Sequence, residues 1–188
     1  MYYNVPYQGG NVQVIRTATE ADVAAILEIY NDAIVNTTAV YAYTPHTLAQ
    51  RLAWFRAHRE AGYPVFVFEA DHKAVGFAAF GSFREWPAYK YTVENSIYVH
   101  PDYRRRGIAR QLMEQLITVA AEQQYATMVA GIDSQNEGSI RLHEQLGFKN
   151  VGTIQKAGFK FGRWLDLTFY QLMLSGPAHP VEAEEHDN

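Results

Sequence analysis

Between residues 12 and 174 the apolar positions recur with one of two spacings, every second residue or every third to fourth, and the switches between them outline eleven elements. "VQVIRTA" (12–18) alternates as a strand. Thr19, with Asp22 three residues on, resembles an N-cap opening a helix through Ile26, Ile29, Tyr30 and Ala33. A second helix is predicted over 47–60, with Leu48, Leu52 and Phe55 at helical spacing. "PVFVFEA" (64–70) and "AVGFAAFGSF" (74–83) read as a strand pair around the turn Asp71-His72. A loop over 84–90 leads to strand 91–100, helix 107–123, strand 126–132, helix 136–146 ended by Gly147, and strands near 148–157 and 163–174.

The order β, α, α, β, β, β, α, β, α, β, β predicts an α/β (α+β) mixed sheet with helices on its faces. Strand 92–99, helix 107–123 and strand 126–132 form one parallel crossover. Simple alternation along 92–99 sets Val93, Asn95, Ile97 and Val99 on one face and Glu94, Ser96 and Tyr98 on the other.

Composition narrows the class. The chain has 188 residues, enough for one domain with a substantial core, and 48% of them are hydrophobic, the profile of a globular protein rather than a disordered one. Residues 1–11 read as a flexible arm, 12–174 as the domain, and the Pro- and Glu-rich 175–188 as an acidic, disordered tail. The net charge of −4 resides in that tail, which holds four acids and no Lys or Arg, so charge gives no sign of nucleic acid. Cysteine is absent, which excludes disulfides, thiolate metal sites and a cysteine nucleophile. No His and carboxylate pair has metal-ligand spacing, so no metal is expected. With no secretory leader and no apolar run near ~20 residues, the expectation is a cytoplasmic protein without a membrane partner.

The stretch "HPDYRRRGIARQLMEQLI" (100–117) goes against expectation, because Arg104, Arg105 and Arg106 sit where a helix begins. Cations there are disfavoured by ~0.3–1 kcal/mol each, since a helix N-terminus favours anions. A bound anion reverses that sign. Arg104, Gly107 and Ala109 fit Arg/Gln-x-x-Gly-x-Gly/Ala between a strand and a first helical turn, where small residues let backbone N–H groups reach an anion. Neither a P-loop Gly-Lys-Ser/Thr nor a Rossmann third glycine is present, so the pyrophosphate of another kind of cofactor fits better.

"SIYVHPDYRRRGIARQLM", followed by "VAGIDSQNEGSIRLHEQLGF", resembles the acetyl-CoA binding core of the GNAT N-acetyltransferases. "AGFKFGRWLDLTFYQLML" and "YTVENSIYV" make it similar to the phosphinothricin and methionine sulfoximine branch. The resemblance implies that the backbone of Ile97, Tyr98 and Val99 bonds the pantetheine. It further implies that the loop of Arg104, Arg105, Arg106, Gly107, Ile108, Ala109 and Arg110 holds the pyrophosphate. Relatives often carry Gln at 104 and Gly at 109. Asn136 would contact the cofactor, or else only cap its helix.

The resemblance also implies Glu94 as the proton acceptor, with a bulge in its strand that would disturb the alternation. Its neighbours Val93 and several aromatic side chains should desolvate the carboxylate and raise its pKa. His143, where many relatives outside this branch have tyrosine, or else Tyr98, would protonate the departing thiolate; a packing role for His143 stays open. Arg84, Trp86 and Tyr89 lie in the loop that lines the acceptor pocket in this branch, Arg84 being suited to a bidentate grip on a carboxylate or phosphinate. Trp86 stands where phosphinothricin-type enzymes can carry a second basic residue, which favours a less charged acceptor such as methionine sulfoximine or sulfone. The implied activity is direct acetyl transfer from acetyl-CoA to the α-amine of a small amino acid by a homodimer. The alternatives are a peptide or protein N-acetyltransferase and a non-catalytic CoA-binding module.

Overall fold

The computed structural model describes residues 3–4 and 13–182. Eight strands form one sheet in the order β1-β2-β3-β4-β5-β6-β8-β7. They are β1 (Tyr3–Asn4), β2 (Val14–Thr17), β3 (Val65–Ala70), β4 (Lys73–Ser82), β5 (Thr92–Val99), β6 (Thr127–Asp133), β7 (Lys149–Lys160) and β8 (Arg163–Met173). Every neighbouring pair is antiparallel except β5 and β6, which flank the crossover helix. The short β1 pairs with β2 inside the segment expected to be an arm. The rest of that arm, 1–2 and 5–11, the first residue of the predicted first strand, Val12, and the tail end, 183–188, lie outside the described residues. The tail between them is held in part, since Gly176 N–H donates to the Tyr125 carbonyl and Val181 exchanges hydrogen bonds with the Tyr91 hydroxyl.

Helices α1 (Val23–Asn36) and α2 (Leu48–Glu60) cover one face, and α3 (Ile108–Glu122) and α4 (Glu137–Gln145) the other. β3 shows why its sequence is apolar from Val65 to Phe68: Val65 and Val67 pack toward α1 and α2, while Phe66 and Phe68 pack toward α3. A strand buried on both faces has no polar side to present. The turn at Asp71 and His72 puts both residues at positive φ (53° and 59°), the type I′ geometry whose twist suits a two-residue hairpin.

Two expectations change in detail. A 3₁₀ turn over Glu20–Asp22 precedes α1, and the Asp22 carboxylate accepts from both the Thr19 N–H (2.7 Å) and hydroxyl (2.9 Å). On α2 the core-facing residues are Phe55 and Arg51, whereas Leu48 points outward and is 46% exposed. Arg51 substitutes for an apolar residue by stacking its guanidinium 3.5 Å from the Tyr30 ring centroid and 4.6 Å from that of Trp54.

Candidate active site

β5 and β6 pair only from Thr92 to Glu94, opposite Thr127 to Val129. The Asn95 side chain ends the ladder by donating from Nδ2 to the Val129 carbonyl (3.1 Å). Beyond that point the strands part, and a cleft of about 1190 Å³ opens between them with walls from both helical layers. That exceeds the ~300–1,000 Å³ of a single small-ligand pocket, so the cleft has room for two reactants.

α3 delivers its first turn to one end of the cleft. Gly107, at φ +77°, reverses the chain into the helix, and no side chain caps the N–H groups that follow. Those groups are the orphan donors of any helix start, and Gly107, Ile108, Ala109 and Arg110 all line the cleft. The position of α3 is set by Gly76 of β4, where a Cβ would come within 3.1 Å of Ile108 Cγ2 and 3.3 Å of Leu112 Cδ1. The donor set fits a polyphosphate: a bare helix start beside several cations.

The arginines divide by partner. Arg104 is engaged by Asp32 Oδ2 (3.1 Å) and the Val99 carbonyl (3.2 Å), and Arg110 by Glu114 (2.8 Å). Arg106 donates to the Asp102 carbonyl (2.8 Å) and lies over the Tyr103 ring, without a carboxylate partner among the described residues. Arg105 has no ion pair there and adopts φ +59°, an uncommon left-handed conformation for a non-glycine residue. Asn136 caps α4, its Oδ1 accepting from the Ser139 N–H (3.2 Å), and it also lines the cleft.

The β4–β5 register runs without a shift from Gly76↔Val99 to Ser82↔Val93, so the expected bulge does not interrupt the β4 side of β5 and the alternation stands. Val93, Ile97 and Val99 pack with the α3 layer, while Tyr98 packs with Tyr30 and Phe77 on the α1 side. Glu94 shares the Tyr98 face and lines the cleft. Burial pushes its carboxyl above the usual range, and the field of Arg84 opposes that shift without an ion pair between them. Gly131 of β6 leaves room for the carboxylate, since a Cβ there would stand 3.2 Å from Glu94 Oε1. Burial likewise pushes the Tyr98 hydroxyl up.

His143 sits across the gap, 1% exposed, edge-on to Phe148 at 4.9 Å. Nδ1 lies 2.8 Å from the Ser139 carbonyl and Nε2 3.3 Å from Asn95 Oδ1, and burial draws its pKa down. The loop residues are more open than expected. Arg84 is exposed and lies over the Phe83 ring, Trp86 is 74% exposed, and Tyr89 packs edge-on to Phe83 at 5.7 Å. None of these three lines the main cleft; Tyr89 borders a smaller pocket with Phe83, Val129 and Phe169 on the Glu94 side of the sheet.

Sequence reasoning missed Trp54 and His58, which line the cleft from α2, and Tyr41, which lines it from the loop after α1. Trp54 and His58 lie four residues apart on one helix face with Arg51, a spacing legible in principle. Tyr41 carries no such signal.

The acetyltransferase (GNAT) family model matches residues 24–148. The chain is 47% identical over 166 residues to the L-methionine sulfoximine/L-methionine sulfone acetyltransferase of Salmonella typhimurium, covering 88% of this chain and 97% of that protein. It is 34% identical to the phosphinothricin N-acetyltransferase of Streptomyces viridochromogenes, over 88% and 90% of the two chains. Among solved structures, an acetyltransferase from Salmonella typhimurium with its cofactor acetyl-CoA superposes with a TM-score of 0.87 at 46% identity, covering 90% of this chain and 98% of that one. A parted β5–β6 pair leading to a bare helix start, together with these likenesses, leads to one conclusion: the chain belongs to the GNAT acetyltransferase family.

Proposed function

We propose that this enzyme moves the acetyl group of acetyl-CoA directly to the α-amine of a small amino-acid analogue of the methionine sulfoximine, methionine sulfone or phosphinothricin type. The observation that carries the reading is the single cleft that joins the bare start of α3 to the half-buried Glu94 carboxylate. One end suits a polyphosphate, the other a proton-bearing amine.

The α-amine of a free amino acid, held above the ~7.7–8.0 of a peptide N-terminus by its own carboxylate, is almost wholly protonated at pH 7, so Glu94 has one proton to take, directly or through water. Backbone N–H groups of Ile97 and Val99, which turn away from β4 on a strand with no β6 partner there, favour the oxyanion that forms as the amine attacks the thioester carbon. The carbon–sulfur bond then breaks, and His143 gives a proton to the sulfur. Tyr98 is the weaker candidate for that step, because its ring is packed between Tyr30 and Phe77. Arg84, whose field reaches Glu94 from outside the main cleft, would steer an acceptor carboxylate toward it, with Trp86 and Tyr89 in the same loop. With Trp86 in place of a second base, methionine sulfoximine and sulfone are the preferred acceptors.

The reading includes a cytoplasmic homodimer. The exposed Val151, Ile154, Phe159, Phe161 and Trp164 of the β7–β8 hairpin supply an apolar surface suited to a second copy. Free-thiol release in the presence of acetyl-CoA and a panel of amino acids tests the activity. Turnover with at least one of the three analogues is expected; silence with all three would sink the assignment.

A further inference from the structure

We propose that Asn95 is a positioning residue for acetyl transfer: it keeps a proton on His143 Nε2 at the point where β5 and β6 part. The inference rests on the reading of His143 as the proton donor to the leaving thiolate and goes beyond it by naming the group that prepares that donor.

Which atoms can donate decides where the hydrogens lie. The Ser139 carbonyl, 2.8 Å from His143 Nδ1, can only accept, which favours a hydrogen on Nδ1. On the other side the Val129 carbonyl takes a hydrogen from Asn95 Nδ2 at 3.1 Å, and this fixes which end of the amide is which. Asn95 Oδ1 is thereby turned toward Nε2, at 3.3 Å, and it too can only accept. The Ser139 hydroxyl also lies 3.4 Å from Nδ1, so two forms suit the site: the imidazolium, which donates to the Ser139 carbonyl and to Oδ1, and the neutral Nε2–H ring, which donates to Oδ1 and accepts from that hydroxyl; in both, Asn95 Oδ1 holds a hydrogen on Nε2. In the neutral ring that keeps the Ser139 bond, the Nε2 lone pair opposes the Oδ1 lone pairs.

Two influences compete. Burial at 1% exposure disfavours the cation, and the two acceptors favour it. Among the described residues no charged side chain decides between them. On α4, Arg141 is paired with Glu137 (2.9 Å), and Glu144 lies 3.5 Å from the hydroxyl of Tyr170 on β8. On β6, Asp133 is paired with Arg163 (3.2 Å), and on β5 Glu94 occupies the opposite face by alternation. Phe148 presents only its ring. Among the described residues Asn95 is thus the side chain outside α4 that sets where the proton resides.

The step balances simply. The Nε2–H bond breaks as an S–H bond forms on the thiolate, and the imidazole is left neutral with its Nδ1–H still on Ser139. The Nε2 lone pair then faces Oδ1 again, which favours recovery of a proton from solvent before the next turnover.

The test uses Asn95→Ala and Asn95→Asp in the full chain, with His143 titrated by NMR of its ring nitrogens without ligands and the pH profile of kcat measured in parallel. Removing the acceptor should lower the His143 pKa by about one unit, and the carboxylate should raise it by about one unit or more. The alkaline limb of kcat should move in the same two directions. A purely structural role would give two variants with reduced Tm or kcat and an unmoved His143 titration, which overturns the proposal. If His143→Gln retains full kcat, the donor reading fails while the titration shifts still stand or fall on their own. An Asn95→Asp variant too unstable to titrate leaves Asn95→Ala as the deciding variant, and a His143 pKa unchanged in it refutes the proposal.

Discussion

Lys160 lies near the end of β7 with its ammonium buried, donating to the carbonyls of Ile34 (2.6 Å), Thr37 (2.9 Å) and Val40 (2.7 Å). These oxygens belong to the last turn of α1 and to the loop after it, so a cation on another strand caps the helix C-terminus and gathers the loop. Lys160→Met keeps the length of the stem and removes every donor. Two of the three contacts are fully buried, and leaving a buried acceptor unsatisfied costs about 1–3 kcal/mol, so the substitution should destabilise the protein by about 2–5 kcal/mol. For a chain of this size that is a Tm lower by about 5–15 °C. Lys160→Arg should not rescue it, because a planar fork does not match three oxygens converging on one point. Thr37 to Tyr41 also line the cleft, so KM for the acceptor should rise several-fold in the same variant. Differential scanning calorimetry and initial rates measure both. A Tm within 2 °C of the parent's would refute the reasoning, since it would mean that the three carbonyls find other partners at negligible cost.

Glu94→Gln should lower kcat/KM by about 10²–10⁴-fold at pH 7, with the deficit shrinking by about tenfold at pH 9, where a much larger share of the acceptor amine is neutral; a deficit constant across that range would remove proton acceptance from the role of Glu94. Gly131→Ala, which brings a methyl within 3.2 Å of Glu94 Oε1, should leave Tm within a few degrees and reduce kcat/KM about tenfold, as initial rates and a melt would show. Arg105→Ala and Arg106→Ala should each raise KM for acetyl-CoA about tenfold and flatten its salt dependence, whereas Arg104→Ala and Arg110→Ala, whose partners are Asp32 and Glu114, should do less. Equal effects from all four in a salt titration would overturn that division.

What could be read from the chain were features decided within a few residues. The start of α3, the Asp71-His72 turn and the alternation along β5 all depend on local geometry, and each stands where the sequence put it. Features decided by distant partners were not legible. Leu48 and Arg51 compete for one face of α2, and apolar spacing selects Leu48, because nothing near Arg51 in sequence reveals the stacking on Tyr30. Asp32 reaches Arg104 across 72 positions, and Lys160 reaches Val40 across 120. The end of the β5–β6 ladder left no trace either, since a strand keeps period two whether or not it has a neighbour.

The short ladder between β5 and β6 has a mechanical meaning. Six of the seven strand junctions are antiparallel, and at β5–β6, the only parallel one, β1 to β5 meet β6, β8 and β7 through three residue pairs. Past Glu94, β5 is an edge strand in the interior of a sheet, presenting backbone donors and acceptors to whatever extended molecule lies along it. A linear ligand carrying its own amide groups would act there as a ninth strand, and tight binding would stiffen the seam between the two halves. Amide exchange at 95–99 and 130–133 should slow together when such a ligand binds, so that the protein's rigidity is partly supplied by the molecule it consumes.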